Sequence, residues 1–302
     1  MCSAPQTPAG PWPGGERFER LRLIGQGALG SVHAALDRHS GEVVALKTLH
    51  LGAGLRGAAL AEAQARFEGE ALALRRLRHP DIVAIRDAGS LGALAWLAMA
   101  LAPGTDLVRY TSAARLLPDP VVLQVVERLA LALAHAHEQG VVHRDIKPAN
   151  LRVDWPSQGL KIVDFGLART EGGEATRTGI VLGSPAYMAP EQLCGAMPDA
   201  GTDFYALGVT LFQLLTGELP HAASNLGELL RQVAQDPAPD LRRLRPDAPD
   251  ELAQLLARLL ARQPGRRLRD GAELAQALGS VRRRLAGARP PQTAGPEGAD
   301  SH

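Results

Sequence analysis

The segment "HRDIKPAN", from His143 to Asn150, places a histidine, two cations, an aspartate and an asparagine within eight residues. Pro148 prevents the segment from forming regular helix, because proline has a fixed φ and no backbone N–H. The segment is therefore either a charged surface loop or the catalytic floor of an enzyme. Residues elsewhere in the chain that could act with it bear on this choice.

A glycine pattern near the amino terminus could cradle phosphate. Gly25, Gly27, Gly30 and Val32 fit G-x-G-x-x-G-x-V within "GQGALGSV". Glycines let a hairpin turn bring its backbone N–H groups against phosphate oxygens. The alternative is an ordinary glycine turn, since a chain rich in alanine and glycine produces such triplets by chance. No helix-opening context follows the pattern, which disfavours a dinucleotide-binding Rossmann turn.

Lys47 and Glu70 are charged residues in apolar surroundings. Lys47 ends the apolar run "VVALK" soon after the glycine pattern, so it is a candidate phosphate clamp as well as a candidate solvated strand end. Glu70 shares the apolar face of a predicted helix with Leu74 and Leu77, at i+4 and i+7. An inward carboxylate requires a cation, and Lys47 is the expected partner. A solvated helix glutamate is the alternative, which suits Glu68 better.

The elements that must position these residues fall into a strand-rich part and a helix-rich part. Strand-like runs fill residues 18–102 and are interrupted by one helical stretch around residues 58–77. From Val121 onward helices dominate, and the first of them ends at Gly140. No repeat at solenoid spacing is apparent.

Composition excludes several classes of protein. The formal net charge of +1 argues against nucleic-acid wrapping, and 45% apolar residues support a real core. The two cysteines lack metal-ligand spacing, no leader or myristoylation pattern is apparent, and the apolar stretch 91–103 is too short to cross a bilayer. A reduced, cytoplasmic protein without membrane insertion is expected, with 91–103 as a buried hairpin strand. Residues 1–15 and 287–302, rich in proline and glycine, are predicted to be disordered tails.

Two further motifs point to a family. "VDFGLA" contains Asp164-Phe165-Gly166, and "GSPAYMAPEQ" contains Ala189-Pro190-Glu191. With H-R-D-x-x-x-x-N at 143–150, the glycine pattern and Lys47, they resemble the motifs of Hanks-type (eukaryotic-type) protein kinases, most similar to the bacterial serine/threonine kinases. The resemblance covers about residues 18–285, and the joint occurrence of the motifs in this order is highly specific.

The resemblance implies an α+β, two-lobed protein kinase fold, with a small β-rich lobe at 16–102 and a larger helical lobe at 103–286. It implies transfer of the ATP γ-phosphate to serine or threonine hydroxyls of proteins. A pseudokinase scaffold and a small-molecule phosphotransferase remain as alternatives. The intact catalytic residues argue against the first, and the segment 189–191 argues against the second. Many bacterial relatives carry a membrane helix and a sensor domain after the kinase, and this chain resembles a stand-alone form.

The resemblance also implies roles for individual residues. Asp145 would accept the hydroxyl proton, and Lys147, two places later as in serine/threonine kinases, would contact the γ-phosphate. Lys47, steered by Glu70, would hold the α- and β-phosphates. The residues implied to bind Mg²⁺ or Mn²⁺ are Asn150 and Asp164. The residues implied to line the nucleotide site are Gly25, Gln26, Gly27, Gly30, Val32, Ala45, Lys47, Met99, Ala100, Ala102 and Arg152.

Two positions depart from the family pattern. Met99 would be the gatekeeper, and Ala100 stands where glutamate is usual. This change should be tolerated, because adenine is read there by backbone groups of Ala100 and Ala102. Arg152 occupies a position that in relatives is aliphatic and packs beneath adenine. Its guanidinium could stack on the ring, its alkyl stem could lie along the ring, or the side chain could point away and weaken ATP binding.

The remaining matches concern regulation and structure. Thr176 and Thr178 occupy the positions of regulatory threonines, and a phosphothreonine there would bind Arg144 and order the segment. Ser184 would belong to the substrate-facing loop. The phosphorylation of Thr176 or Thr178 would occur between two molecules, in a transient homodimer. The residues with implied structural roles are Asp203 as the anchor of the catalytic loop, Glu191 and Arg267 as an ion pair, and His143, Phe165 and Leu74 in a hydrophobic spine.

Overall fold

The computed structural model describes residues 15–27, 30–52, 54–165 and 185–287. Both predicted tails lie outside these ranges, apart from Gly15 and Gly287. The predicted regulatory and substrate-loop residues that also lie outside them are Thr176, Thr178 and Ser184. Every helix in the described ranges is too short or too polar to span a bilayer.

Five antiparallel strands form the sheet of the small lobe, in the order β1-β2-β3-β5-β4. The strands are β1 Phe18–Gly27, β2 Gly30–Asp37, β3 Val43–His50, β4 Ile85–Leu91 and β5 Leu94–Ala100. Side chains alternate along β3, so that Ala45 and Leu49 join the main core while Val44 and Leu46 pack on the opposite face. Lys47, between Ala45 and Leu49, therefore projects from the face turned to the main core.

Helix α1 spans Gly57–Arg76, one residue from the predicted stretch. Its buried residues follow helical spacing, and the helix packs against β4 and β5. These residues are Ala63, Phe67, Ala71 and Leu74. Glu70 lies beside this stripe, and its side chain is 35% exposed. Glu70 is thus half-buried rather than turned fully into the core.

Helices are the main regular elements of the remaining described chain, as the sequence predicted. They are α2 Asp119–Glu138, α3 Pro190–Leu193, α4 Ala200–Thr216, α5 Leu226–Gln235, α6 Asp250–Leu259 and α7 Gly271–Gly287. A second antiparallel sheet has the order β6-β7-β8 and consists of β6 Thr105–Asp106, β7 Leu151–Asp154 and β8 Gly159–Ile162. The architecture is therefore α+β, with a β-rich small lobe and a helical large lobe.

Helix α4 is buried on all sides, and 14 of its 17 residues are inaccessible. A helix that is apolar all round is stable only inside a core. Its amino terminus is capped by Asp199, whose side chain accepts the Thr202 amide N–H, and it ends at Gly217 with φ +81°. Its one charged residue is Asp203, which is 1% exposed.

Asp203 presents its carboxylate to the segment that begins at His143. Its Oδ1 accepts the Arg144 amide N–H at 2.8 Å, and its Oδ2 accepts the His143 amide N–H at 2.8 Å. His137 Nε2 lies 2.8 Å from the same Oδ2. These bonds compensate a carboxylate that is costly to bury, and they fix the backbone just before Asp145. Asp203 thus anchors this loop from the centre of the helical lobe.

A second buried ion pair joins Glu191 to Arg267, as expected from the sequence. Arg267 Nη1 lies 2.6 Å from Glu191 Oε1, and Nη2 lies 3.0 Å from Oε2. The Arg267 side chain is fully buried, and it also donates to the carbonyl oxygens of Gly201 and Ala261. The fork of donors therefore ties α3 to the start of α4 and to the chain after α6.

His143 is fully buried beneath the anchored loop. Its Nε2 lies 3.1 Å from the Val163 carbonyl oxygen, and its Nδ1 lies 3.3 Å from the Asp145 amide nitrogen. A neutral ring with its proton on Nε2 satisfies both contacts, donating to Val163 and accepting from Asp145. Burial lowers the pKa of His143 below its usual value of 6.5. The ring also packs on Phe165, with centroids 4.5 Å apart.

Gly30→Ala is expected to destabilise the protein. A Cβ at Gly30 would lie 1.8 Å from the Thr48 carbonyl oxygen on β3, so the strand backbone would have to shift. Overpacking of this kind lowers the free energy of unfolding by about 1–3 kcal/mol, which denaturant titration measures. Gly25→Ala is the matched control, since a Cβ there meets no atom within 4 Å in the part of the chain that the structure describes. Equal stability of the two variants would contradict the prediction.

Acidification is expected to destabilise the protein in part through His143. Its folded-state pKa lies below the unfolded value, so the unfolded chain binds more protons and stability falls as pH drops through about 6.5. His143→Phe should unfold at a lower temperature at pH about 7.5, having lost two hydrogen bonds, yet show a smaller further decline by pH about 5.5. Thermal unfolding of both proteins across this range is the measurement. Parallel pH profiles would refute the role of this imidazole.

Candidate active site

The side chains after His143 converge on Asp145. Lys147 Nζ lies 2.7 Å from Asp145 Oδ2. Asn150 Nδ2 lies 3.0 Å from the same oxygen and 2.7 Å from the Asp145 carbonyl oxygen, because a 3₁₀ turn at Pro148–Asn150 brings the amide back. The Asp145 side chain is 21% exposed. The Asp145 carboxylate is therefore held in place and remains partly accessible.

Asp164 and Lys47 form an ion pair between the catalytic region and the small lobe. Lys47 Nζ on β3 contacts Asp164 Oδ1. Asp164 has φ +63° and Arg144, beside Asp145, has φ +69°. Non-glycine residues in this left-handed region are uncommon and cluster at functional sites. The backbone thus adopts an uncommon conformation at Asp164, which pairs with Lys47, and at Arg144, which precedes Asp145.

Glu70 takes a different partner from the one predicted. Glu70 Oε1 lies 3.5 Å from Arg144 Nη1, whereas Lys47 pairs with Asp164. The predicted Lys47–Glu70 pair is therefore wrong for this conformation. Helical spacing determines the face of α1 on which Glu70 lies, but it does not determine how far that face stands from β3.

The residues implied to line a nucleotide site lie on neighbouring strands. Val32 on β2 is the register partner of Lys47, and Ala45 on β3 is the partner of Met99 on β5. Ala45 and Met99 are buried in the main core, and Val32 packs against it. Ala100 ends β5. Adjacent strands therefore bring the predicted gatekeeper, the strand alanine and the lysine to one face of the sheet.

The three glycines of the pattern differ in what surrounds them. A Cβ at Gly25 or Gly27 would meet no atom of the described residues within 4 Å, whereas one at Gly30 would collide with β3. Gln26, between the first two, is exposed. The fold therefore requires glycine at position 30, while the backbone at 25–27 lies open for the close approach of a ligand.

Arg152 lies on β7 and extends its side chain toward the chain that follows β5. Its Nε lies 3.2 Å from the Ala102 carbonyl oxygen and 3.4 Å from that of Pro103, and its Nη2 donates to the Gly104 carbonyl oxygen. The sequence left three orientations open for this side chain. The structure places its guanidinium on these carbonyl groups.

Asn150 and Asp164 present oxygen donors of the kind that Mg²⁺ prefers. The Asn150 amide nitrogen donates to Asp145, and its Oδ1 accepts no hydrogen bond from residues that the structure describes. Within the described ranges, no group of three or more His, Cys, Asp or Glu side chains could hold a metal by itself. The residues present therefore fit a cation that takes its other ligands from substrate oxygens and water.

Two residues that support the loop were not predicted. His137, in the last turn of α2, contacts the Asp203 carboxylate. Gln192 Nε2 donates to the Arg144 carbonyl oxygen at 3.4 Å, and its Oε1 accepts the Ala189 amide N–H at 2.9 Å. The sequence signal for His137 is a polar residue at the end of an apolar helix, six positions before His143. Gln192 has no signal beyond its place next to Glu191.

A cavity of about 530 Å³ lies in the helical lobe, away from these side chains. Its lining includes Leu241, Ala253, Leu260 and Arg262, and none of the residues implied in catalysis or nucleotide binding. The candidate active site is therefore located by the chemistry of its side chains and not by the volume of a cavity.

Comparison with known proteins agrees with this arrangement. The protein kinase domain family matches residues 18–278. Serine/threonine-protein kinase pkn3 of Myxococcus xanthus is 38% identical over 283 residues, covering 87% of this chain and 50% of that protein. The DNA damage-responsive serine/threonine-protein kinase RqkA of Deinococcus radiodurans is 37% identical over 277 residues, covering 89% of this chain and 40% of that protein. The chain thus spans half or less of the length of these relatives.

Solved structures have the same fold. The crystal structure of the Mycobacterium tuberculosis PknI kinase domain matches with a TM-score of 0.69 at 31% identity, covering 90% of this chain and 97% of that chain. Because sequence and fold are shared over most of its length, the chain belongs to the Hanks-type protein kinase family and is most like its bacterial serine/threonine-kinase members.

Proposed function

We propose that the protein transfers the γ-phosphate of ATP to serine or threonine hydroxyls of proteins. The observation that supports this most is the convergence of Lys147 and Asn150 on the accessible Asp145 carboxylate. Two relatives, at 38% and 37% identity, are named serine/threonine-protein kinases. Lys147, two residues after Asp145, also resembles the serine/threonine pattern rather than the tyrosine pattern.

In the proposed reaction, the substrate hydroxyl oxygen forms a bond to the γ-phosphorus. The bond from that phosphorus to the β–γ bridging oxygen breaks, and ADP leaves with its electron pair. Asp145 orients the hydroxyl and accepts its proton. Lys147, 2.7 Å from the Asp145 carboxylate, adds positive charge where the transferred phosphoryl group is negative. Mg²⁺ or Mn²⁺, held by Asn150 and Asp164, would neutralise phosphate charge.

The Lys47–Asp164 pair is suited to an exchange of partners. Lys47 is 12% exposed, so its charge requires a nearby anion, and Asp164 supplies one. A nucleotide with its cation brings an anion for Lys47 and a cation for Asp164. Both charges therefore stay compensated when the pair separates, and nucleotide binding leaves neither side chain buried alone.

A pseudokinase scaffold is the competing function. A scaffold requires none of the groups that surround Asp145, and all of them are in contact here. A small-molecule phosphotransferase is disfavoured by the segment 189–191, whose Glu191 forms the buried pair with Arg267. These observations favour a protein kinase that acts on protein hydroxyls.

The proposed activity includes regulation by phosphorylation of Thr176 or Thr178 between two molecules. Arg144 contacts Glu70 at 3.5 Å. A phosphothreonine, with about two negative charges, would compete with Glu70 for this arginine. Glu70 would then be released toward Lys47, the partner that the family pattern implies.

Purified protein is expected to phosphorylate itself when given ATP with Mg²⁺ or Mn²⁺. Asp145→Asn should lower the rate at least about a hundredfold, because it removes the proton acceptor, and Lys47→Met should do so by removing the phosphate clamp. Incorporation of labelled phosphate is the measurement. Asp247→Asn is the matched control, since this aspartate is exposed and pairs with Arg245 far from the loop. Equal labelling of the wild type and Asp145→Asn would overturn the assignment.

Phosphorylation between molecules is expected to make the initial rate per enzyme rise with protein concentration. Wild-type enzyme should also label the inactive Asp145→Asn protein, and mass spectrometry should place phosphate on Thr176 or Thr178. The Thr176→Ala, Thr178→Ala double variant should lose most of its activity. If this variant is fully active without phosphate on the segment, the switch is refuted while the kinase assignment is unaffected.

A further inference from the structure

Arg152 binds three successive carbonyl groups of one stretch of chain. This stretch, residues 101–104, joins β5 to β6 and is called the linker here. The Arg152 Nε lies 3.2 Å from the Ala102 oxygen and 3.4 Å from the Pro103 oxygen, and its Nη2 donates to the Gly104 oxygen. A guanidinium can do this because its donors form a rigid planar fork.

The linker is also held against β7 by its own backbone. Gly104 has φ +79°, and a Cβ there would lie 2.0 Å from the Val153 carbonyl oxygen. Glycine permits this approach because it has no side chain. Arg152 and Val153 are neighbours on β7, so the strand holds the linker through a side chain and through the main chain.

We propose that Arg152 is a linker clamp, which positions the Ala102 backbone and determines which bases that backbone accepts. Arg152 makes no ion pair within the described part of the chain, so its charge is offset by the linker carbonyl dipoles. The guanidinium is committed to the linker, and the alkyl stem is the part left to contact a base. The identity of the ligand as ATP rests on the proposed function, whereas the clamp rests on the contacts alone.

The clamp leaves the Ala102 N–H available and engages the Ala102 carbonyl. Adenine read by the Ala100 carbonyl and the Ala102 N–H uses its N6 amino group and N1, as the family resemblance implies. The next ring position, C2, carries only hydrogen, so adenine requires no acceptor from Ala102. The Ala102 oxygen keeps a second lone pair for an amino group at C2, but the adjacent Arg152 guanidinium charge repels the partly positive amino hydrogens and weakens that hydrogen bond. Arg152 is therefore expected to select against 2-aminopurine nucleotides.

Hydrogen–deuterium exchange of the linker tests the clamp without nucleotide. Arg152→Met keeps an unbranched stem and removes every donor, and Arg152→Lys keeps the charge without the fork. The Met variant should exchange the amides of Ala102, Gly104 and Thr105 faster by about fivefold, the equivalent of one lost hydrogen bond, and the Lys variant should be intermediate. Lys161→Met is the matched control, because Lys161 is the register neighbour of Arg152 on β8 and contacts Pro80 instead. Unchanged linker exchange in Arg152→Met would overturn the clamp.

Calorimetric titration with ATP and with 2-amino-ATP tests the selection. The wild type should prefer ATP, and Arg152→Met should shift the ratio of the two dissociation constants about five- to tenfold toward 2-amino-ATP. The dissociation constant for ATP itself should change by a smaller factor than this ratio does. A ratio that is the same in both proteins would overturn the selection. If the wild type binds neither nucleotide, the proposed function and the selection both fail, and linker exchange still decides whether Arg152 is a clamp.

Discussion

The hydrogen bonds of the Asp203 carboxylate hold the active site in place. Asp203 lies within the most buried helix of the protein's large lobe, and its two oxygens accept the successive amides of His143 and Arg144. A buried carboxylate is tolerated only if its hydrogen-bonding capacity is filled. Moving the loop away would leave the Asp203 carboxylate buried without these hydrogen bonds, at a large cost in free energy. Because α4 is packed in the core, these hydrogen bonds also fix the position of Asp145. The packing of the hydrophobic core therefore also determines where the Asp145 carboxylate lies.

The charge pairing observed around this loop differs from the pairing that the family pattern implies. In the observed one, Lys47 contacts Asp164 and Glu70 contacts Arg144. In the arrangement that the family pattern implies, Lys47 would contact Glu70, and an added phosphate would occupy Arg144. Both arrangements pair Lys47 and Arg144 with anions. They differ in which anion each cation contacts and in whether a phosphate is present. A ligand or a phosphorylation that favours one of these pairings would shift the site toward it.

Local contacts were predictable from the sequence, whereas contacts between distant segments were predictable only where the family resemblance implied them, as for Glu191 and Arg267. The apolar stripe of α1 gave its limits within one residue, since periodicity is a local signal. Asp145 and Asn150, five positions apart, are in contact, and the family resemblance had implied that both belong to one site. The Lys47–Asp164 contact joins residues 117 positions apart, and the Arg152 contact with Ala102 spans 50 positions. Partner choice at such separations depends on the spacing of packed elements, which neither periodicity nor motif order encodes.

The different surroundings of the three glycines bear on how kinase-like sequences that bind nucleotide can be distinguished from those that have lost this ability. Gly30 is demanded by the neighbouring strand, since the Thr48 carbonyl occupies the space of a side chain. Gly25 and Gly27 face no such obstacle. A descendant that had lost nucleotide binding but still folded would be under pressure to keep the third glycine and free to replace the first two. The third glycine is thus a marker of an intact sheet, whereas glycine retained at the first two positions would indicate a requirement other than the packing of the described strands.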